Sequence, residues 1–217
     1  MAVDAITVPK AEAAAIDRAL WSIASPGATL TGLQRRQLAG VVRGCSGFIE
    51  SGSDAPSIDP TRPSSDVDGL VMLTRRLTTE AQTFRLSDVE DFLEAGGSAE
   101  TFVEILGLTA RIQAIDTFCF GLGLDLPVLP PVIEGTPTGE TAGDARLSGG
   151  WVPTVGPASP PNALSLVPAE YRGMHDLHGV FYLSVDRMAD LNADRGLHRT
   201  QMELVAARTS LLNECYF

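Results

Sequence analysis

The residues best suited to chemistry lie at the C-terminal end, in HRTQMELVAARTSLLNECYF. Glu203 precedes Cys215 by twelve positions, and Asn213 stands between them, two residues before the cysteine. A cysteine thiolate is a nucleophile and can be oxidised to a sulfenic acid. A carboxylate within reach relays protons to and from the reacting atoms. On one straight helix, twelve residues would separate the two groups by roughly 18 Å. The two groups cannot meet on such a helix, and Asn213 is a residue type that can break or cap one.

Other reactive side chains give weaker signals. His175 and His178 share a helix face at a spacing of three, with Asp176 between them. A metal site of that kind needs further ligands, and no His or Cys follows at a suitable distance, so packing or surface roles are expected. His198, near a helix start, is expected at the surface. Cys119 lies in an apolar stripe with Phe118 and Phe120, and Cys45 in a comparable helix, so both are expected to pack rather than react. Three cysteines far apart do not form a disulfide framework. Gly121-x-Gly123 lacks the preceding strand and third glycine of a dinucleotide fingerprint, and the Gly-rich stretch 143–150 lacks the Lys-Ser/Thr of a phosphate loop.

The elements that must position these groups read as helices. Ile16, Leu20 and Ile23 recur at helical spacing within 11–24, and Pro26-Gly27 ends that segment. Further helices are expected over 31–42, with a cap at Thr29 to Thr31, and over 66–82. Another begins at Ser87, with Glu90 completing a capping box, and the next runs from Ser98 to Gly121 or Gly123. Pro168–Asn192 and His198–Leu212 complete the set. Little of the chain reads as β, so the fold class is all-α. Residues 51–66 are a loop rich in Ser, Asp and Pro. Residues 128–163 hold many prolines and glycines and read as a linker or extended surface segment. Their apolar members, among them Val128, Leu129, Ile133 and Trp151, suit wrapping over a partner surface. The expected organisation is a helical unit over 11–127, this connector, and a further unit over 164–217.

Bulk properties narrow the function classes. Of the 217 residues 44% are hydrophobic and 20% charged, which suits a folded globular chain. The net charge of -11 opposes binding to nucleic-acid backbones or anionic membranes. No apolar run reaches 18 residues, and the N-terminus lacks a secretory pattern, so a cytoplasmic location is expected.

The C-terminal segment resembles the signature of the alkylhydroperoxidase D-like (carboxymuconolactone decarboxylase-like) family. That signature places a glutamate twelve residues before a Cys-x-x-Cys pair, with a histidine four residues after the second cysteine. Glu203-Leu204-Val205-Ala206 and Ser210 to Cys215 match it, except that Glu214 stands where the family commonly has Gly. Residues 31–45 and 85–127 resemble a repeat of the same pattern without its redox site: Gln37 takes the place of Glu203, Ile49 that of Cys215, and Cys45 is out of register. The resemblance implies an all-α tandem repeat and thiol-dependent hydroperoxide reduction in antioxidant defence. It implies Cys215 and Glu203 as catalytic residues, a dithiol reductant protein as partner, homo-oligomeric assembly, and neither metal nor organic cofactor. The second cysteine and the histidine fall beyond Phe217, so the second repeat is expected to be truncated and the chain a poor peroxidase as it stands. Two other readings remain open: a lactone decarboxylase on the same scaffold, and a non-catalytic helical oligomerisation module.

Overall fold

A computed structural model describes residues 7–47 and 65–214. Among them are seven α-helices, with isolated bridges but no β-strand, so the chain is all-α. The helices are α1 (Lys10–Ile23), α2 (Gly32–Cys45), α3 (Ser65–Thr79), α4 (Leu86–Glu94), α5 (Ala99–Gly121), α6 (Pro168–Phe181) and α7 (Arg199–Leu212). No described helix is long and apolar enough to cross a membrane. Cys215 and Ile49 lie outside the described residues.

Helix α5 is the axis of the bundle. Phe102, Val103, Ile105, Leu108, Ile112, Ile115 and Cys119 bury several of its faces, which a central helix requires. It packs against α2, α3 and α6, while α1 packs against α6 and α2 against α3. The apolar residues of α1, α2 and α5 and Leu177 of α6 form one continuous core. Leu183, Ala193 and Met202 form a small second cluster under α7.

Helix starts follow local side-chain chemistry. Thr31 caps α2: its Oγ1 accepts the Gln34 amide at 3.3 Å, and its own amide donates to Gln34 Oε1 at 2.9 Å. Ser98 caps α5 by accepting the Thr101 amide at 3.1 Å. The start of α4 departs from the Ser87–Glu90 expectation. The cap residue is Arg85, whose amide donates to Asp88 Oδ2 at 2.7 Å, while Asp88 Oδ1 binds Arg76 at 2.6 Å. A second partner on α3 selects Asp88, two positions ahead of Glu90. Arg76 is thus the first cause holding the Asp88 carboxyl below its ordinary range, and the Arg85 amide the next.

Helix α6 ends at Phe181 and does not continue to Asn192. Tyr182 leaves helical geometry (φ -134°, ψ -91°), and the His178 ring donates through Nδ1 to the Leu183 carbonyl at 2.8 Å. A short turn over Val185–Arg187 follows.

Residues 128–163 run extended along the surface and are tied down at intervals. Arg43 donates to the Pro127 carbonyl and Arg36 to the Pro130 carbonyl, each at 2.8 Å. The amides of Ile133, Thr138 and Gly139 donate to the carbonyls of Ala24, Gly27 and Ala28. Arg43 also pairs with buried Asp116 through two 2.9 Å bonds, so it joins α2, α5 and the strap. Burial pushes the Asp116 carboxyl up, against the opposing pull of Arg43. Leu129 packs on the core, Trp151 lies 6.4 Å from Phe84 ring to ring, and Val128 faces solvent.

Candidate functional site

Glu203 lies one turn into α7, which His198 caps by accepting the Thr200 amide at its ring Nδ1. The side chains at 199, 202, 203 and 206 share one face of this helix, and that face turns towards the end of α6. The Tyr182 hydroxyl donates to Glu203 Oε1. Arg199 Nε lies 2.7 Å from the same oxygen, as an ion pair without the alignment of a hydrogen bond. The Arg199 guanidinium also stands 5.9 Å from the Tyr182 ring centroid. Burial, and then the Glu203 carboxylate that accepts its proton, push the Tyr182 phenol up. Tyr182 therefore stays a donor throughout the neutral range, and Glu203 is held from two sides while half its side chain remains in solvent.

Beside this trio runs a cleft of about 360 Å³ between α5, the end of α6 and α7. Phe118, Phe181, Met202 and Ala206 form apolar walls, with Phe118 and Phe181 stacked at 4.5 Å. Tyr182, Arg195 and Glu12 form its polar edge. Arg195 Nη1 donates to the carbonyls of Gly179, Val180 and Tyr182, and Nη2 donates to Glu12 at 3.2 Å. A cation there satisfies carbonyls that the end of α6 leaves unpaired.

Helix α7 ends at Leu212. Asn213 is the cap residue, its amide and its side chain both donating to the Thr209 carbonyl. Glu214 then adopts φ 54°, in the left-handed region. A glycine is the usual residue at that place, because Cβ crowds the following carbonyl. Glu214→Gly is accordingly expected to stabilise the last turn by about 1 kcal/mol. Slower hydrogen exchange of the Leu211 and Leu212 amides, by roughly fivefold, would register it; unchanged exchange would show that the conformation carries no strain.

The remaining expected residues are placed as follows. His175 donates through Nε2 to the Pro161 carbonyl at 3.1 Å, and His178 is committed to Leu183, so both rings staple backbone. Among the described residues no group of three or more His, Cys, Asp or Glu side chains is arranged to hold a metal. Cys119 is buried, and burial pushes its thiol up, with Asp116 adding to the effect.

A second polar constellation has no counterpart in the sequence reading. Arg35 of α2 bonds Glu104 of α5 and, at 2.9 Å, Glu170 of α6; Glu170 also binds Arg111 of α5 at 2.5 Å. All four side chains are at most 1% exposed. Glu104 Oε2 accepts the Thr29 amide and hydroxyl as well. Burial pulls the Arg35 guanidinium down, but Glu170 and Glu104 together outweigh it. For Arg111 burial prevails over Glu170, with Arg35 adding to the depression. Gly27, Gly107 and Gly173 press against this cluster so closely that a Cβ at any of them would meet one of its atoms within 2.6 Å. Two cations and two anions enclosed in that way form a joint between α2, α5, α6 and the α1–α2 turn, not an open site.

Comparisons with protein-family models, with curated proteins and with solved structures returned no significant match.

Proposed function

We propose that this chain carries the thiol-peroxidase centre of an alkylhydroperoxidase D-like protein, with Cys215 as nucleophile and Glu203 as proton relay. The observation that carries the reading is Glu203 itself. At the position given by the twelve-residue spacing, it is fixed by Tyr182 and Arg199 beside an apolar cleft, on a helix that stops at Asn213. The left-handed Glu214, standing where the family commonly has Gly, supports the same alignment.

In this reading the Cys215 thiolate attacks the distal peroxide oxygen, the S–O bond forms and the O–O bond breaks. The departing alkoxide takes a proton relayed through Glu203 and leaves as an alcohol. Cys215 is then a sulfenic acid, and a dithiol reductant returns it to the thiol, releasing water and becoming a disulfide. Tyr182 and Arg199 orient the carboxylate and do not touch the peroxide.

A single-turnover trapping experiment tests this. With cumene hydroperoxide and dimedone present, the adduct is expected on Cys215 and not on buried Cys119. Glu203→Gln should slow its formation by about 10²-fold, the lower end of general acid–base effects. A Cys215 that stays unmodified, or that is trapped no faster than a free cysteine, would remove the peroxidase reading.

A further inference from the structure

Helix α7 carries more apolar surface outward than inward. Its inner face buries only Arg199 and Met202, whereas Leu204, Val205, Leu211 and Leu212 are 59–77% exposed. A surface helix ordinarily turns its polar side to solvent, and an apolar face left bare marks a contact surface. Along that face Leu204, Arg208 and Leu211 form one stripe, at steps of four and three residues and roughly 10 Å long.

Helix α4 carries the complementary stripe. Leu86, Glu90 and Leu93 recur at the same two steps, and the leucines are 44% and 38% exposed. The central charge is negative where that of α7 is positive. Glu90 and Arg208 are both exposed, and neither side chain has an ionic or hydrogen-bond partner among the described residues. Laid side by side, the stripes set leucine on leucine at both ends and Glu90 against Arg208 between them. Parallel helices align all three pairs; antiparallel helices keep the charges opposed and offset the leucines by about 1.5 Å, one residue's rise.

The two stripes cannot meet within one chain. Helix α4 lies at the N-terminal end of α5, where the Phe92 and Phe102 rings are 6.3 Å apart. Helix α7 lies by the other end, where Phe118 lines the cleft beside it. Phe102 and Phe118 are roughly 24 Å apart along α5.

We propose that α7 of one copy docks on α4 of a second copy, head to tail. Each copy offers one α7 and one α4, so the contact is heterologous and repeats around a ring where the rotation closes. Burial of the leucines supplies the attraction. The Glu90–Arg208 pair sets the register between copies whose net charge of -11 otherwise holds them apart. The contact involves no thiol, so its failure would leave the peroxidase reading untouched.

Sedimentation equilibrium of the full chain at about 10 µM to 1 mM covers the affinities of a small interface. The average mass is expected to exceed that of one chain and to rise with concentration. Arg208→Glu and Glu90→Arg should each weaken association about tenfold, although the second moves the net charge towards zero. Arg208→Glu combined with Glu90→Arg should associate like the original chain, a recovery that misfolding could not produce. Leu211→Asp should abolish association. An original chain that stays monomeric throughout would overturn the proposal, since the α7 face would then be bare or covered from within. Loss with Arg208→Glu but not with Glu90→Arg would overturn it too, because two α7 helices would be pairing with each other. So would a double variant that does not recover, since the two charges would then not face each other.

Discussion

Glu170→Ala is expected to destabilise the chain by about 3–5 kcal/mol, the cost of leaving a buried ion network with an uncompensated charge. Glu170 holds Arg35 with one oxygen and Arg111 with the other, and all three side chains are at most 1% exposed. Its removal leaves Arg111 with no carboxylate and turns two guanidinium groups towards each other in a region that water does not reach. The loss is a large part of the roughly 5–15 kcal/mol that separates a folded domain from its unfolded chain. Urea unfolding should show a lower midpoint with an unchanged slope. Glu170→Gln, which keeps the volume and removes the charge, should cost nearly as much if charge is the cause. The double replacement Glu170→Leu with Arg111→Met should recover much of the loss, because a well-packed apolar pair avoids the desolvation penalty altogether. A Glu170→Ala change below about 1 kcal/mol would show that the two arginines find other partners, and the description of this cluster as a joint would fail.

This network also marks where the sequence stopped being readable. Apolar periodicity placed α1, α2, α3 and α5 within a few residues, because each turns apolar residues into the core at helical spacing; α7 was expected as well, although Met202 is the one apolar residue that it buries. The start of α5 was legible in Ser98, whose cap needs only the next turn. The start of α4 was not, since the choice of Asp88 depends on Arg76 of the preceding helix. The end of α6 was missed because Met188 and Val185 continue the apolar spacing, while the backbone turns at Tyr182 and His178 seals the turn. Partners 69 and 135 residues apart, as in Arg35–Glu104 and Arg35–Glu170, leave no local trace. The hint in the sequence is that Glu104 and Arg111, like Asp116, interrupt the apolar face of α5. For the candidate site, the family resemblance pointed to Glu203 and to a break near Asn213. Tyr182 has no such signal, because its contact with Glu203 depends on how the chain turns between α6 and α7.

Gly27→Ala tests the same joint from its other side. The residue lies in the turn between α1 and α2, and a Cβ there would fall 1.8 Å from Glu104 Oε1 and 2.4 Å from Arg35 Nη1. Neither atom belongs to a free side-chain end, since both side chains are enclosed and bonded to each other. The turn cannot retreat cheaply either: the Gly27 amide donates to the Leu30 carbonyl, and its own carbonyl accepts the Thr138 amide of the strap. The methyl group must therefore displace the Arg35–Glu104 pair or detach the strap, at an expected cost of about 3 kcal/mol. Gly44→Ala is the contrasting case. Its Cβ would meet nothing within 4 Å, and its position in α2 makes Ala the better helix former, so it should be neutral or stabilising by up to about 1 kcal/mol. If crowding of the ion pair is the cause, the Gly27→Ala penalty should shrink when Glu104→Ala has already opened the space. The double variant would then lose less than the sum of the two single losses. Additive losses would place the strain in the backbone of the turn instead, and would mean that the glycine serves the strap and not the charges beneath it.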